Sequence, residues 1–339
     1  MSKRLFAFLA ALFAAQVSAA PADCKLIRIE EWPVRLERNL PIIEGEINGN
    51  KVSILIDTGS QRSFVTRSTV ARMMLTRTNV GTTGLESVRL EELRIGPAKR
   101  KDWHVLVSPE QDFGAQVVSL VLGYDFFAAV DFEFDLANRA VRLFQARDCA
   151  GSPLAYWTDA RPVEAQIQGT GEILVSVAVN GRPTLAVLDS GATVSAITMA
   201  ESVRLGINAK TEGVATAGCG IGIGRPALDY WSAPFQSFAI GNEVIRNPTL
   251  RIADFTRETM VNQVGGRQAN RFAEQPQMIL GMDFLRAHRV FVSNSQRKMY
   301  FTYAGGTVFP TGTDKTCHDL RQLVEGAAGS GEISPIRPQ

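Results

Sequence analysis

Two stretches of the chain share one pattern of hydrophobic and polar positions. In each, an alternating segment leads to Asn-Gly, and an apolar run rich in β-branched residues then ends at an aspartate. The first copy runs through Asn48-Gly49 to Asp57, and the second through Asn180-Gly181 to Asp189. Alternation is typical of a half-buried strand, and Asn-Gly between two such strands is a strong hairpin signal. Each copy therefore predicts a hairpin whose second strand ends at a carboxylate.

The residues after the two aspartates match as well. The first turn reads Asp57-Thr58-Gly59-Ser60 and the second reads Asp189-Ser190-Gly191-Ala192. One offset of 132 residues relates the two Asn-Gly pairs and the two aspartates. Glycine permits a sharp turn directly after a strand, so each carboxylate is expected on a rigid support. Two copies predict two carboxylates brought together.

A second matched pair of motifs lies further along the chain. Val121-Leu122-Gly123 corresponds to Ile279-Leu280-Gly281 at an offset of 158 residues, and an alternating strand pair is predicted after each, over 130–144 and 290–301. The second half thus holds 26 extra residues (158 − 132), which we assign to a glycine-rich tip and to a polar surface loop over 254–275.

Short helices and glycine-rich tips complete each half. The pattern predicts helices over 67–75 and 200–205, and tips over 80–84 and 217–222. The tips are either flaps that close over a substrate or ordinary exposed hairpins, and the sequence does not favour one interpretation over the other.

The same order of elements occurs in both halves of the chain, and the repeat is much longer than a solenoid unit. This order predicts a duplicated, all-β protein with two lobes. The domains are then a signal peptide over 1–20, an N-terminal lobe over 21–150 and a linker over 151–171. A C-terminal lobe over 172–310 and a tail over 311–339 follow, the tail being partly disordered because it is rich in Gly, Ser and Pro.

The N-terminus has the pattern of a secretory signal peptide. A short basic start over 1–4 precedes an apolar run over 5–15 and small residues over 17–21. We therefore expect an exported protein, periplasmic or secreted, without a stable membrane anchor. A retained membrane anchor is the alternative, and residues 20–40 could form a short pro-segment.

Charge and cysteine content narrow the partners. The chain has 36 Lys and Arg against 34 Asp and Glu, and the predicted signal peptide removes Lys3 and Arg4. A near-neutral mature chain argues against nucleic acid as a partner.

Four cysteines in an exported chain allow two disulfides in three pairings. They are Cys24, Cys149, Cys219 and Cys317. With three histidines and no Cys/His cluster, no metal and no cofactor are predicted.

The paired Asp-hydroxyl-Gly turns with their Leu-Gly partners resemble those of the aspartic proteases. The spacing of the motifs within each half is closer to that of the retropepsins than to that of the larger pepsins. The resemblance covers residues 40–305 and implies two pseudo-symmetric β-barrel lobes with an active-site cleft between them. Viral retropepsins pair two identical chains, whereas this chain resembles a fused, monomeric pseudo-dimer. The resemblance implies an aspartic endopeptidase with a polypeptide substrate and a catalytic dyad of Asp57 and Asp189, which would activate a water molecule between them.

Supporting roles also follow from the resemblance. The hydroxyls of Thr58 and Ser190 would bond across the lobe boundary, and Gly59 and Gly191 would permit close approach. The Ser60 hydroxyl would bond the outer oxygen of Asp57. Because Ala192 replaces this serine in the second turn, we expect the dyad to work at a higher pH than strongly acid-adapted pepsins. A pH–rate maximum below about pH 3 would contradict this expectation.

Two readings without catalysis compete with this one. A peptide-binding module could retain the fold, and a β-rich ligand carrier would not need paired aspartate turns. Asp125 and Asp283 follow the Leu-Gly motifs and are expected to belong to a structural turn or cap, not to take part in catalysis. Lys99-Arg100-Lys101 is expected to be a solvated loop.

Overall fold

The computed structural model describes residues 24–108, 118–167, 171–220, 228–255 and 275–312. Most of these residues lie in strands, and the helices are short, which confirms the all-β prediction. The predicted signal peptide, most of the predicted loop over 254–275 and nearly all of the predicted tail lie outside the described residues. No helix among the described residues is long and apolar enough to cross a membrane.

The first half contains eleven strands and two short α-helices among its described residues, with a 3₁₀ turn at Leu136–Asn138. The strands are β1 (Lys25–Pro33), β2 (Arg35–Glu37), β3 (Leu40–Ile47), β4 (Asn50–Ile56), β5 (Phe64–Val65), β6 (Arg77–Asn79), β7 (Glu86–Ile95), β8 (Ala98–Val107), β9 (Val118–Leu122), β10 (Asp131–Asp135) and β11 (Ala140–Arg147). The helices are α1 (Arg67–Arg72) and α2 (Tyr124–Phe127).

The second half repeats this order in the part of it that the structure describes. Its strands are β12 (Arg161–Ile167), β13 (Ile173–Val179), β14 (Arg182–Leu188), β15 (Ala196–Thr198), β16 (Ala215–Gly220), β17 (Leu228–Pro234), β18 (Ser237–Ile240), β19 (Glu243–Arg246), β20 (Thr249–Ala253), β21 (Met278–Leu280), β22 (His288–Ser293) and β23 (Lys298–Tyr303). Its helices are α3 (Met199–Arg204) and α4 (Met282–Ala287).

Both predicted Asn-Gly hairpins are present. Asn48 and Gly49 join β3 to β4 with φ of 50° and 79°, and Asn180 and Gly181 join β13 to β14 with 50° and 72°. Two left-handed residues in a row form the hairpin turn that matches strand twist, and asparagine and glycine tolerate that conformation best. The predicted helices are also present as α1 and α3, each capped by a threonine side chain.

Each lobe places its aspartate strand against the strand of its Leu-Gly motif. In the first lobe β4 runs parallel to β9, and the pairing of β3 with β7 closes a barrel of six strands, β3-β4-β9-β5-β8-β7. In the second lobe β14 runs parallel to β21, which continues through β15 and β20 to β17 and β16. The two lobes therefore present their aspartates on equivalent strands.

A six-stranded antiparallel sheet joins the lobes. Its order is β1-β11-β10-β22-β23-β12, so each half supplies the strands on one side of the central β10–β22 pair. The segment predicted to connect the lobes contains β12, which pairs with both β23 and β13. Buried Glu133 on β10 also forms an ion pair with Arg289 on β22. The sheet therefore fixes one lobe against the other.

The N-terminal arm is part of this sheet. Strand β1 pairs along β11, and a disulfide joins Cys24 to Cys149, which selects one of the pairings that the sequence left open. Cys219 is disulfide-bonded as well. Strand β1 is thus fastened to the first lobe at its start.

One local prediction is wrong. Lys99-Arg100-Lys101 lies within β8, not in a loop, and the three side chains are exposed along the strand. The Arg100 guanidinium lies 4.2 Å from the centre of the Trp103 ring. Long cationic side chains can cover apolar surface while their charged ends stay in water, so a basic run is compatible with a strand that has one wet face.

Candidate active site

The first aspartate turn begins at the end of a buried strand. Residues 54–56 of β4 are fully buried, and the backbone N–H of Asp57 donates to the Leu122 carbonyl on β9 at 3.0 Å. The backbone N–H groups of Gly59 and Ser60 each donate to Asp57 Oδ1 at 3.0 Å. Hydrogen bonds to a carboxylate favour its charged form, so this turn is built to hold an anion.

The second aspartate turn has the same anchor and fewer donors. The N–H of Asp189 donates to the Leu280 carbonyl on β21 at 2.9 Å, and the N–H of Gly191 donates to Asp189 Oδ1 at 2.8 Å. The N–H of Ala192 instead donates to the backbone carbonyl of Asp189 at 3.3 Å. The Asp189 carboxylate thus accepts one amide from its own turn, where the Asp57 carboxylate accepts two.

Reciprocal hydrogen bonds join the two turns. Thr58 Oγ1 donates to the Leu188 carbonyl at 2.8 Å and accepts from the Ser190 N–H at 3.0 Å. Ser190 Oγ donates to the Ile56 carbonyl at 2.8 Å and accepts from the Thr58 N–H at 3.0 Å. Both side chains are at most 1% exposed, so these bonds satisfy polar groups that water cannot reach.

The two glycines bring the carboxylates to the lobe boundary. A Cβ atom built on Gly59 would lie 2.3 Å from Cγ of Asp189, and one built on Gly191 would lie 2.4 Å from Cγ of Asp57. Each carboxyl group therefore occupies the space that a side chain on the opposite glycine would fill. A side chain at either position would displace the opposite carboxyl group, so both turns require glycine here.

Two family models match the chain, one in each lobe. A model described as gag-polyprotein putative aspartyl protease matches residues 43–129, and one described as aspartyl protease matches residues 175–284. Each matched segment contains one aspartate turn and its Leu-Gly motif. The chain belongs to the retropepsin-like aspartyl protease family. A search of curated proteins finds no match.

The Ser60 side chain differs from the expectation for this aspartyl protease. Its hydroxyl donates to the Arg62 carbonyl at 2.8 Å, and the residue contacts Asp57 through its backbone N–H. A serine hydroxyl has one proton to donate, so it is not the donor for Asp57 here. The absence of this hydroxyl at Ala192 therefore gives no reason to expect a higher operating pH than that of pepsins.

The Leu-Gly motifs pack directly behind the aspartate turns. A Cβ atom on Gly123 would lie 2.6 Å from the backbone carbon of Arg62, and one on Gly281 would lie 2.6 Å from that of Val194. The residue after each glycine donates its N–H back to the turn, Tyr124 to the Ser60 carbonyl at 2.8 Å and Met282 to the Ala192 carbonyl at 2.9 Å. These contacts hold each aspartate turn against the Leu-Gly motif of its own lobe.

Asp125 and Asp283 bind serines behind the turns. Asp125 Oδ1 accepts from the N–H and hydroxyl of Ser63 at 2.8 and 2.7 Å, and Asp283 Oδ1 accepts from the same groups of Ser195 at 2.8 and 2.5 Å. Both serines in turn accept from the glycine N–H of the Leu-Gly motif. Asp125 is exposed, whereas burial raises the pKa of Asp283 to about 6 against the opposing effect of its Ser195 bonds.

The first glycine tip forms a hairpin between β6 and β7. Its turn is closed by the Val80 N–H donating to the Leu85 carbonyl at 2.8 Å. In the second lobe β16 pairs with β17, and residues 221–227 between them lie outside the described residues. A flap role for either hairpin stays a prediction. No cluster of His, Cys, Asp or Glu that could hold a metal ion occurs among the residues that the structure describes.

One group of residues near the second turn was missed by the sequence analysis. Asn39, on the β2–β3 turn of the first lobe, contacts Thr193 of the Asp189 turn and Arg286 on α4. The contact crosses between the lobes, and the residues are far apart in sequence. No repeat or motif marks them, because the matching positions in the other half carry different residues.

Proposed function

We propose that this protein is an aspartic endopeptidase that hydrolyses peptide bonds with a water molecule held between Asp57 and Asp189. The observation that carries the proposal is the placement of each carboxyl group against the glycine of the opposite turn. Two carboxylates held at the same lobe boundary repel each other when both are charged, so the proposed pair shares one proton. A shared proton provides one base and one acid in the same place.

The hydrogen bonds support different roles for the two aspartates. Asp57 accepts two amide bonds from its own turn and Asp189 accepts one. More donors favour the charged form, so Asp57 is the carboxylate that takes a proton from water, and Asp189 is the carboxylic acid. This assignment applies to the free enzyme before substrate binds.

The reaction then follows in two balanced steps. Water adds to the carbonyl carbon of the peptide, its proton passes to Asp57, and the Asp189 proton passes to the carbonyl oxygen, which gives a neutral gem-diol. In the second step the carbon–nitrogen bond breaks, the leaving nitrogen takes the proton from Asp57, and a gem-diol hydroxyl returns a proton to Asp189. The dyad ends in its starting state with the carboxylic acid and amine released.

The proposed substrate is an extended polypeptide bound between the lobes. The aspartates lie at the ends of equivalent strands in the two lobes, so a chain crossing that boundary would meet both. The hairpins β6–β7 and β16–β17 follow the two turns in sequence and are the proposed flaps.

We also propose that the protein works outside the cytoplasm. The N-terminal signal pattern supports export, and the bonded cysteines Cys24, Cys149 and Cys219 fit an oxidising compartment, where disulfides persist.

Incubation of the mature protein with an unfolded polypeptide from about pH 3 to 7 tests the proposal. We expect cleavage that pepstatin inhibits, and a loss of at least about 100-fold in kcat/KM for Asp57→Asn and for Asp189→Asn. Asp102→Asn is the matched control, because the same chemical change falls on an exposed acid that pairs with Arg89. This control should keep the parent rate.

The same assay separates the readings without catalysis. Cleavage that survives either dyad substitution would rule out the proposed dyad. Binding of the polypeptide without any cleavage, in a folded parent protein across the whole pH range, would favour a peptide-binding module.

A further inference from the structure

An asparagine from the first lobe bridges two segments of the second lobe next to Asp189. Asn39 lies on the turn between β2 and β3, with φ of 63°. Its Nδ2 donates to the backbone carbonyl of Thr193, and its Oδ1 accepts from Arg286 Nη1 at 2.9 Å. Thr193 belongs to the loop that follows Asp189, and Arg286 lies on α4, which begins directly after Gly281. One amide therefore connects the Asp189 turn to the helix behind it.

Among the described residues, no side chain at the matching position forms this bridge to the Asp57 turn. At the offset of 132 residues, the position that matches Asn39 is Gly171, which has no side chain. At the offset of 158 residues, the position that matches Arg286 is Ala128. Gly171 lies instead against the ring of Tyr124. The Asp57 turn therefore lacks a side-chain amide from the opposite lobe at the matching position.

We infer that Asn39 is a positioning residue for Asp189, an inference that rests on the proposed function. The Asp189 carboxylate accepts one amide from its own turn, and the Asp57 carboxylate accepts two. Besides the reciprocal Thr58 and Ser190 bonds, the turn with one amide on its carboxylate also receives a side-chain amide bond from the opposite lobe, at Thr193. By fixing the Thr193 carbonyl, Asn39 limits the opening of the turn that carries Asp189.

The chemistry of asparagine suits this position. Its amide carries a donor and an acceptor in one plane, so it can bond a carbonyl and a guanidinium at the same time. Asparagine also tolerates the left-handed backbone that the β2–β3 turn requires. Aspartate keeps that tolerance and the acceptor for Arg286 but loses the donor, and it would set a negative oxygen against the Thr193 carbonyl.

Hydrogen exchange tests the inference without any need for activity. In Asn39→Asp and Asn39→Ala, we expect the Gly191 amide to exchange about 10-fold faster, the effect of losing one hydrogen bond that opposes local opening. The Gly59 amide, which bonds Asp57 in the other turn, should exchange at the parent rate in both variants.

Kinetics on the same variants tests the consequence for catalysis. With enzyme concentration set by titration of active sites, we expect kcat to fall about 10-fold and KM to stay near the parent value, because a displaced acid affects the chemical step. The control is Asn180→Ala, which has the same left-handed backbone (φ 50°) and bonds Gln236 within the second lobe.

The outcomes separate the two proposals. Unchanged exchange at Gly191 in Asn39→Asp, or an equal increase in Asn180→Ala, would overturn the positioning role whatever the activity. Faster exchange at Gly191 in a protein that cleaves nothing would support the bridge and count against the proposed function. Faster exchange with an unchanged kcat would overturn the role in catalysis.

Discussion

The two aspartate turns have the same backbone design and different surroundings. The strand, the hydroxyl residue, the glycine and the Leu-Gly motif correspond in both halves. The first turn holds its carboxylate with two amides and has an exposed aspartate, Asp125, behind it. The second uses one amide, has Asp283 behind it at 6% exposure, and is bridged by Asn39. The residues at the lobe boundary therefore make the same contacts in both halves, whereas the residues that support each aspartate differ.

The largest expected effect comes from the bonds that the two turns share. In Thr58→Val, the Leu188 carbonyl and the Ser190 N–H lose their partner in the buried centre. In Ser190→Ala, the Ile56 carbonyl and the Thr58 N–H lose their hydrogen-bond partner in the same way. Each orphaned buried group costs roughly 1–3 kcal/mol, so we expect each variant to lose about 4 kcal/mol of unfolding free energy in urea denaturation.

Because the bonds are reciprocal, we expect Thr58→Val and Ser190→Ala to lose the same amount of unfolding free energy. Thr78→Val is the matched control, since Thr78 lies on the exposed strand β6 and the loss of its hydroxyl bond to Ser87 should cost little. A loss at Ser190 much smaller than that at Thr58 would show that the turns do not support each other equally.

The next effect separates the two aspartates behind the turns. Burial raises the pKa of Asp283 to about 6 in the folded protein, from an ordinary value of 3.8. The folded state therefore binds more protons than the unfolded state between these values, and the stability that Asp283 contributes falls as the pH rises from about 4 to about 6. A difference of about two pKa units corresponds to about 3 kcal/mol.

Urea denaturation of Asp283→Asn across this pH range checks the prediction. Asparagine keeps an acceptor for Ser195 and has no proton to lose, so the stability advantage of the parent protein should shrink as the pH rises. Asp125→Asn is the matched control, because it makes the same change in the equivalent Ser63 pair at an exposed position. An advantage of the parent that is constant with pH would contradict the assignment.

A smaller loss is expected from each glycine of the Leu-Gly motifs. A methyl group at Gly123 or Gly281 would lie 2.6 Å from backbone atoms of the aspartate turn in front of it. The turn would have to move, so we expect Gly123→Ala and Gly281→Ala each to cost about 2 kcal/mol in thermal or urea unfolding. Gly49→Ala is a control for strain alone, because its positive φ disfavours alanine while no atom lies within 4 Å.

The smallest effect concerns the hydroxyl that distinguishes Ser60 from Ala192. The Ser60 hydroxyl bonds the Arg62 carbonyl and not Asp57. We therefore expect Ser60→Ala and Ala192→Ser to change stability by less than about 1 kcal/mol and to leave the pH–rate profile in place. A clear shift of the acidic limb in either variant would restore the hypothesis that this hydroxyl stabilises a charged dyad.

Much of the fold could be predicted because the same sequence pattern occurs in both halves of the chain. The Asn-Gly hairpins, the threonine-capped helices and the Leu-Gly motifs are local patterns that recur in register. The sheet between the lobes was not predicted, since the pairing of β10 with β22 depends on contacts between distant segments. Residues 99–101 of β8 are a run of charged residues without alternation, so the sequence pattern predicts a loop there and not a strand.

The candidate site likewise contains some residues that local motifs predict and others that depend on contacts between distant segments. Asp57 and Asp189 follow from short motifs that local sequence can carry. The resemblance implies a bond from the Ser60 hydroxyl to Asp57, whereas this hydroxyl donates to the nearby Arg62 carbonyl. Asn39 and Arg286 depend on how a turn of one lobe meets a helix of the other, and the repeat gives no sign of them.

The sheet shared by β10 and β22 has a consequence for how this enzyme would respond to dilution. When two separate chains each supply half of a site, the fraction of assembled sites falls with concentration by mass action. Here the halves are covalently linked and their strands already paired, so each half meets the other at a fixed, high effective concentration. Specific activity should then be constant down to the most dilute sample that can be assayed.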